Sequence, residues 1–167
     1  DFAMDDAELR EEGVNRLGNV LVPDESYGLV LEEKLIPMFG EILAGRNAVS
    51  TREIIDQVGA RIDNEDSLLY WAHRNGIPIF VPGITDGSFG SQLWMYWQTH
   101  RDLKIDLFED EQELSSLVFR AEVSGALIVG GGISKHHVIW WNQFRGGLDY
   151  AVYMTTAAEY DGSLSGA

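Results

Sequence analysis

The sequence predicts an α/β fold in which a parallel sheet carries helices on both faces. Helical and strand patterns alternate along the chain at the spacing of βαβ units. The predicted strands are continuous apolar runs, as expected where both faces of a sheet are covered. Hydrophobic residues make up 45% of the 167 residues and aromatic residues 11%, which is enough for a buried core.

Three helices are predicted in the first half of the chain, over residues 27–44, 51–62 and 65–75. In the first of them, Pro37 predicts a kink or a break. Ser50 or Thr51 caps the second, and Ser50 followed by Glu53 has the spacing of a capping box. Gly76 predicts the end of the third helix.

Strands and helices alternate in the second half. The predicted strands cover residues 77–82, 103–107, 125–131 and 149–156, and the helices 88–100, 109–121 and 133–144. The run GALIVGG at 125–131 is the clearest buried strand. Acidic residues open the helix at 109–121, where the helix dipole favours them.

Composition excludes several classes of protein. Lys and Arg number 12 against 27 Asp and Glu, so the net charge is −15. Such a surface repels phosphate backbones and suits cationic partners such as basic proteins or polyamines, although it also serves solubility. No apolar run reaches the length of a membrane helix, and the absence of cysteine excludes thiol chemistry and Cys-zinc sites. We therefore expect no nucleic acid, no membrane, no metal and a cytoplasmic location.

The two ends of the sequence suggest a segment of a longer protein. The first residue is not Met, and the chain stops at GSLSGA, which is typical of an active-site loop. We expect residues 1–167 to be part of a single domain.

Three loops follow predicted strands, and ligands of open α/β sheets bind beyond the carboxyl ends of strands. In the first loop, at 85–90, Asp86 suits ribose hydroxyls or a cation. The alternative is an Asp-Gly turn in which Ser88 caps the next helix.

The second loop, GGGISKHH at 130–137, suits an anion such as a dinucleotide pyrophosphate. Its glycines admit a ligand close to the backbone, and the next helix offers free N–H groups. The pattern is not GxGxxG, so a tight turn stays the alternative. Of the adjacent His136 and His137, only one is expected to face the site, as a neutral general base.

The third loop, at 155–167, follows the last predicted strand. Tyr153, Thr155 and Thr156 offer hydroxyls to a nucleotide, whereas Glu159 and Asp161 suit a cation or are solvated charges. Trp94, Tyr96, Trp97, Trp140 and Trp141 are expected in the core or at a subunit interface.

These loops resemble those of deoxyhypusine synthases. The resemblance covers residues 8–27, 65–90 and 125–167, and its motifs are TDGS, GGG-x-x-KHH, DYAVY and E-Y-DGS-x-SGA. It implies a Rossmann-like, NAD-binding subunit of a homotetramer. It also implies an enzyme that oxidises spermidine with NAD and passes the aminobutyl group, through an enzyme lysine, to a lysine of the hypusine-containing translation factor.

The resemblance also implies residue roles. Cofactor contacts are expected at Asp86, Gly130, Gly131, Thr156 and Ala157. His136 is the expected catalytic residue and also contacts the polyamine. Further substrate contacts are expected at Tyr153, Gly162, Ser163 and Ser91.

The sequence departs from the family in its lysine and its carboxylates. The W-G-K motif that holds the nucleophilic lysine is absent, and none of Lys34, Lys104 and Lys135 matches it. Ser91 and Leu164 stand where better-known members have polyamine-binding aspartates, and Trp140 stands where they have a cofactor-side asparagine. Two alternatives stay open: a homospermidine synthase-like transfer to a free amine, and an inactive regulatory paralogue.

Overall fold

A computed structural model describes residues 4–158 of the chain. Its helices are α1 (Asp6–Glu11), α2 (Val30–Ile42), α3 (Thr51–Gly59), α4 (Leu68–Arg74), α5 (Ser88–Trp97), α6 (Leu107–Arg120) and α7 (Ile133–Gln143). Its strands are β1 (Val14–Leu17), β2 (Val20–Pro23), β3 (Ala48–Val49), β4 (Lys104–Ile105), β5 (Gly125–Val129) and β6 (Tyr150–Met154). A π-helical turn at Glu25–Leu29 leads into α2. No helix of this described part is long and apolar enough to cross a membrane.

The strands form three separate pairs within residues 4–158 instead of the one sheet that the sequence predicted. β1 and β2 form an antiparallel hairpin, whereas β3 pairs with β4 and β5 with β6 in parallel. The mixed α/β class and the parallel pairing are confirmed, and the single continuous sheet is corrected.

The predicted strand at 77–82 is wrong. This stretch joins α4 to the loop before α5 without pairing to any described strand. Pro78 and Pro82 have no N–H to donate to a ladder, so the apolar run lacks two of the donors that a central strand needs.

Burial of the last strand pair was also predicted wrongly. Every residue of β6 is exposed, and in β5 only Ile128 is buried. Among residues 4–158, β5 and β6 pair only with each other and the helices make few contacts with either, so Leu127, Val129 and Val152 are exposed in this part of the chain.

The N-terminal hairpin was missed although the sequence carries a signal for it. Gly18 and Asn19 separate β1 from β2, and Gly18 has a φ of +63°. A Gly-Asn pair between two short apolar runs is typical of a hairpin turn.

Pro37 lies inside α2 without ending it, so of the predicted kink or break the break is wrong and the kink stays a prediction. The helix is retained because it packs along α5 and supplies much of the core. Burial of an apolar helix face outweighs the one backbone hydrogen bond that proline removes.

The core lies between α2, α3 and α5. Phe39 is fully buried, and its ring contacts those of Phe89 and Tyr96 edge-on, at centroid distances of 5.6 and 6.0 Å. The buried apolar side chains of the cluster are Leu35, Phe39, Ile42, Leu43, Val49, Ile54, Val58, Leu93, Tyr96 and Leu103.

Asp110 joins α6 to the start of α3. Its buried carboxylate accepts hydrogen bonds from the Thr51 hydroxyl and, at 3.0 Å, from the Arg52 backbone N–H. The Ser50 hydroxyl accepts from the Glu53 N–H at 3.1 Å, which confirms the predicted cap. The first-turn N–H groups of α3 are therefore satisfied from two sides.

Asp149 anchors the turn before β6. Its carboxylate accepts from the Ser124 backbone N–H at 2.8 Å and lies 3.1 Å from the Arg145 guanidinium. The hydrogen bond from the Ser124 N–H, followed by the hydrogen bond from the Arg145 guanidinium, lowers the pKa of Asp149 below its ordinary value of 3.8. Because the folded value is depressed, the stabilisation is present above the unfolded pKa and is lost as the pH falls through the folded pKa.

We expect Asp149→Asn to lower the free energy of unfolding at neutral pH. The difference from wild type should shrink as the pH falls below the unfolded pKa, and vanish below the folded one. Urea unfolding at pH 7, about pH 5 and about pH 2 measures this. Asp63→Asn, at an exposed position, is the control. A pH-independent difference would contradict the assignment.

Candidate functional site

The first predicted loop precedes α5. The Asp86 N–H donates to Gly83 O at 2.9 Å, and the Asp86 side chain is exposed. α5 begins at Ser88 with Gly87 as its cap residue, so the alternative in which Ser88 caps the helix is not observed. The Ser91 hydroxyl donates to Gly87 O at 3.0 Å, which turns it back toward its own helix.

Gly90 lets α5 lie directly against this loop. A Cβ built on Gly90 would lie 1.7 Å from Ile84 O, far inside van der Waals contact with backbone. Backbone atoms cannot move aside as a side-chain tip can, so α5 and the loop that carries Asp86 would have to separate.

We therefore expect Gly90→Ala to lower the free energy of unfolding by about 1–3 kcal/mol. Gly40→Ala, inside α2 with open space around its Cβ, is the matched control and should not destabilise. Urea unfolding of both variants measures the difference. A Gly90→Ala protein as stable as wild type would contradict the close contact.

The second loop lies beside residues 155–158, the part of the third loop that the structure describes. The Gly130 N–H donates to Met154 O at 2.8 Å, which extends the ladder of β5 and β6 to the point where both strands end. Thr155 and Thr156 follow on the exposed side, and the Ala157 N–H donates to the Thr155 hydroxyl at 3.1 Å. The predicted cofactor residues of these two loops are thus brought together.

The glycine loop has open space beside two of its glycines. Gly130 and Gly132 have φ values of +80° and +78°, and a Cβ on either would meet no atom within 4 Å. The His136 N–H donates the first hydrogen bond of α7 to Gly132 O at 3.1 Å, so the helix begins directly after this loop.

The turn before the first loop lies against the start of the same helix. A Cβ built on Gly83 would lie 3.3 Å from Ile133 Cδ1. Gly83, two residues before the first predicted loop, therefore adjoins the beginning of α7, which directly follows the glycine loop. A cleft of about 430 Å³ lies beside the first loop, lined among others by Thr85, Trp94 and Lys104.

The two histidines point to different sides of α7. His136 is exposed, and its ring stacks on that of Trp140 at a centroid distance of 5.9 Å and an angle of 24°. His137 turns to α6, where its Nε2 lies 3.1 Å from Glu111 Oε1. The Trp141 Nε1–H donates to the other oxygen of Glu111 at 2.7 Å.

Tyr153 on β6 lies against the first turn of α7. The ammonium of Lys135 lies 4.6 Å from the centre of the Tyr153 ring, and Lys135 is only 3% exposed. Such a distance is typical of a cation–π contact. Gly162 and Ser163, the other predicted substrate residues, lie outside the described residues.

Known proteins of one family are similar to the chain along its whole length. The family profile named deoxyhypusine synthase matches residues 1–167. The chain belongs to the deoxyhypusine synthase family.

Archaeal relatives agree. The chain is 60% identical over 166 residues to a protein from Thermoplasma acidophilum named "Probable deoxyhypusine synthase", covering 99% of this chain and 54% of that protein. A protein of the same name from Sulfurisphaera tokodaii is 53% identical, with coverage of 99% and 53%. The chain thus spans about half the length of the curated relatives it matches.

A solved structure shares the fold. It is described as a "putative deoxyhypusine synthase" from Entamoeba histolytica, with a TM-score of 0.68 and 29% identity. The match covers 81% of this chain and 49% of that one. The resemblance that the loop motifs predicted is therefore confirmed at the level of the family.

The sequence motifs of this deoxyhypusine synthase family member did not indicate one contact of its structure. Glu111 contacts two side chains of α7, but in the sequence it stands among the acids that open α6 and carries no motif. In the described residues no group of three His, Cys, Asp or Glu side chains is placed to hold a metal ion.

Proposed function

We propose that the protein, in its full natural length, transfers the aminobutyl group of spermidine to a lysine of the hypusine-containing translation factor, with NAD as cofactor. Membership of the family supports an aminobutyl transferase. The observation that carries the proposal is that the glycine loop lies beside Thr155 and Thr156, at the end of β6, and leads directly into α7, where His136 is exposed.

The residues present fit NAD. Left-handed glycines with no Cβ let a pyrophosphate approach the backbone, and the α7 N-terminus offers N–H groups and a favourable dipole. Gly130, Gly131, Thr156 and Ala157 would hold the cofactor, with Asp86 at a ribose. When bound, the cofactor accepts a hydride in its oxidised form and donates it in its reduced form.

His136, Tyr153 and Ser91 are proposed to contact spermidine. The proposed role of the exposed imidazole at His136 is to take a proton from an ammonium of spermidine, which makes the nitrogen able to react. Aromatic rings suit the cationic chain, and the −15 net charge favours its approach. Gly162 and Ser163 complete the proposed substrate set.

The test is an assay of the full-length protein with NAD, butyl-labelled spermidine and the translation factor. We expect label on one lysine of the factor, only when NAD is present. A parallel reaction contains putrescine as the acceptor, and labelled homospermidine formed there, with no label on the factor, would indicate homospermidine-like transfer. No transfer, combined with stimulation of a second synthase, would indicate the regulatory paralogue. Either result would overturn the proposal.

We also propose that the protein works as a homotetramer in the cytoplasm. Light scattering of the purified full-length protein measures the oligomer directly. A monomer that retains full activity would contradict the proposed homotetramer.

A further inference from the structure

A carboxylate outside the predicted site joins α6 to α7. Glu111 Oε1 lies 3.1 Å from His137 Nε2, and Glu111 Oε2 accepts from Trp141 Nε1–H at 2.7 Å. His137 and Trp141 are four residues apart and thus share one side of α7. We call Glu111, His137 and Trp141 the α6–α7 clamp.

Within residues 4–158, few apolar side chains of α7 are buried. Ile133, Val138, Ile139 and Trp140 are all exposed among these residues, and the buried Asn142 donates to Val138 O within its own helix. Apolar burial in this part of the chain therefore gives little preference for one rotation of α7 about its axis, and specific polar contacts contribute to setting it.

Polar contacts hold α7 at its first turn, at its middle and just after its last turn. Lys135 holds the first turn against Tyr153, and Arg145, just after the last turn, donates to Ala121 O at 2.9 Å. The clamp acts between them and ties the middle of α7 to α6. Two hydrogen bonds to one carboxylate fix a direction as well as a distance.

His136 immediately precedes a clamp residue. Side-chain ends lie roughly 5–6 Å from a helix axis, so a rotation of about 20° moves the imidazole by about 2 Å. A displacement of about 1 Å from the reactive geometry can lower a rate by about 100-fold. A small rotation of α7 is therefore enough to misplace a general base.

We infer that Glu111 is a positioning residue: through His137 and Trp141 it sets the rotation of α7 that presents His136 to the amine. This inference rests on the proposed function. Glu111 touches no predicted substrate or cofactor residue among the contacts described, so it acts only through the helix.

The test compares substitutions at two glutamates of α6 in the full-length protein. Glu111→Leu removes both clamp bonds. Glu111→Gln keeps an oxygen that accepts from Trp141. Glu113 is the matched control, since its side chain is 37% exposed against 38% for Glu111 and it pairs with Arg52 at 2.7 Å instead of with α7.

We expect Glu111→Leu to lower kcat by about 10- to 100-fold while KM for spermidine changes less than about threefold. Glu111→Gln should retain more than about one fifth of kcat, and Glu113→Leu should stay within about twofold of wild type. Circular dichroism and thermal melts establish that each variant is folded.

A double variant distinguishes positioning from general loss of structure. If Glu111 acts through His136, Glu111→Leu combined with His136→Ala should be no slower than His136→Ala alone. The positioning role would be overturned if the double variant lost kcat by the product of the two single losses. It would also be overturned if Glu111→Leu and Glu113→Leu lost kcat equally. An inactive wild type would instead overturn the proposed function, so the two failures are distinguishable.

Discussion

His136→Ala is expected to lower kcat for aminobutyl transfer by about 100- to 10,000-fold, the usual contribution of a general base. NAD affinity should change less than about threefold, because the predicted cofactor residues lie in the loops and not on the exposed face of α7. Steady-state kinetics of the full-length protein and a separate NAD titration measure the two effects.

His100→Ala is the matched control for this substitution. His100 is also exposed and also stacks on an aromatic ring, that of Tyr96 at 4.0 Å, but it follows the end of α5, whereas Asp86 precedes the start of that helix. We expect its kcat within about twofold of wild type. Equal loss of turnover and NAD binding in His136→Ala would mean that the residue is structural.

Phe39→Ala is expected to have the largest effect on stability, a loss of about 3–5 kcal/mol in the free energy of unfolding. The ring is 0% exposed and contacts Phe89 and Tyr96, so its removal leaves a cavity where α2 packs on α5. Since a domain is stable by only about 5–15 kcal/mol, the variant should unfold at a much lower urea concentration.

Phe108→Ala removes the same side chain from an 84% exposed position and should cost less than about 0.5 kcal/mol. Urea titrations of both variants and wild type show how much of the loss comes from burial of the ring, because both variants remove the same side chain. A loss below about 1 kcal/mol for Phe39→Ala would show that α2 and α5 close over the space, contrary to the packing described.

Predictions from neighbouring residues in the sequence succeeded. The cap formed by Ser50 and Glu53 is observed, and Gly76 takes a φ of +61° just after α4. The strands predicted at 125–131 and 149–156 contain β5 and β6. Each of these signals depends on only a few adjacent residues, which the chain brings together wherever it folds.

Predictions of burial and of strand pairing failed more often. The run at 77–82 is apolar, but its prolines prevent a ladder, and β5 and β6 are apolar yet exposed. Apolar character states a preference for burial, whereas burial itself needs a partner element to lie on that face.

The candidate site divides in the same way. By itself the sequence determined the glycine loop, the adjacent histidines and the family, because these are local patterns of residue type. Only the tertiary structure decided that Gly83 lies against Ile133 and that Glu111 holds His137 and Trp141. Such contacts join residues far apart in the chain, so they follow from which helix faces pack together, and no local pattern encodes that choice.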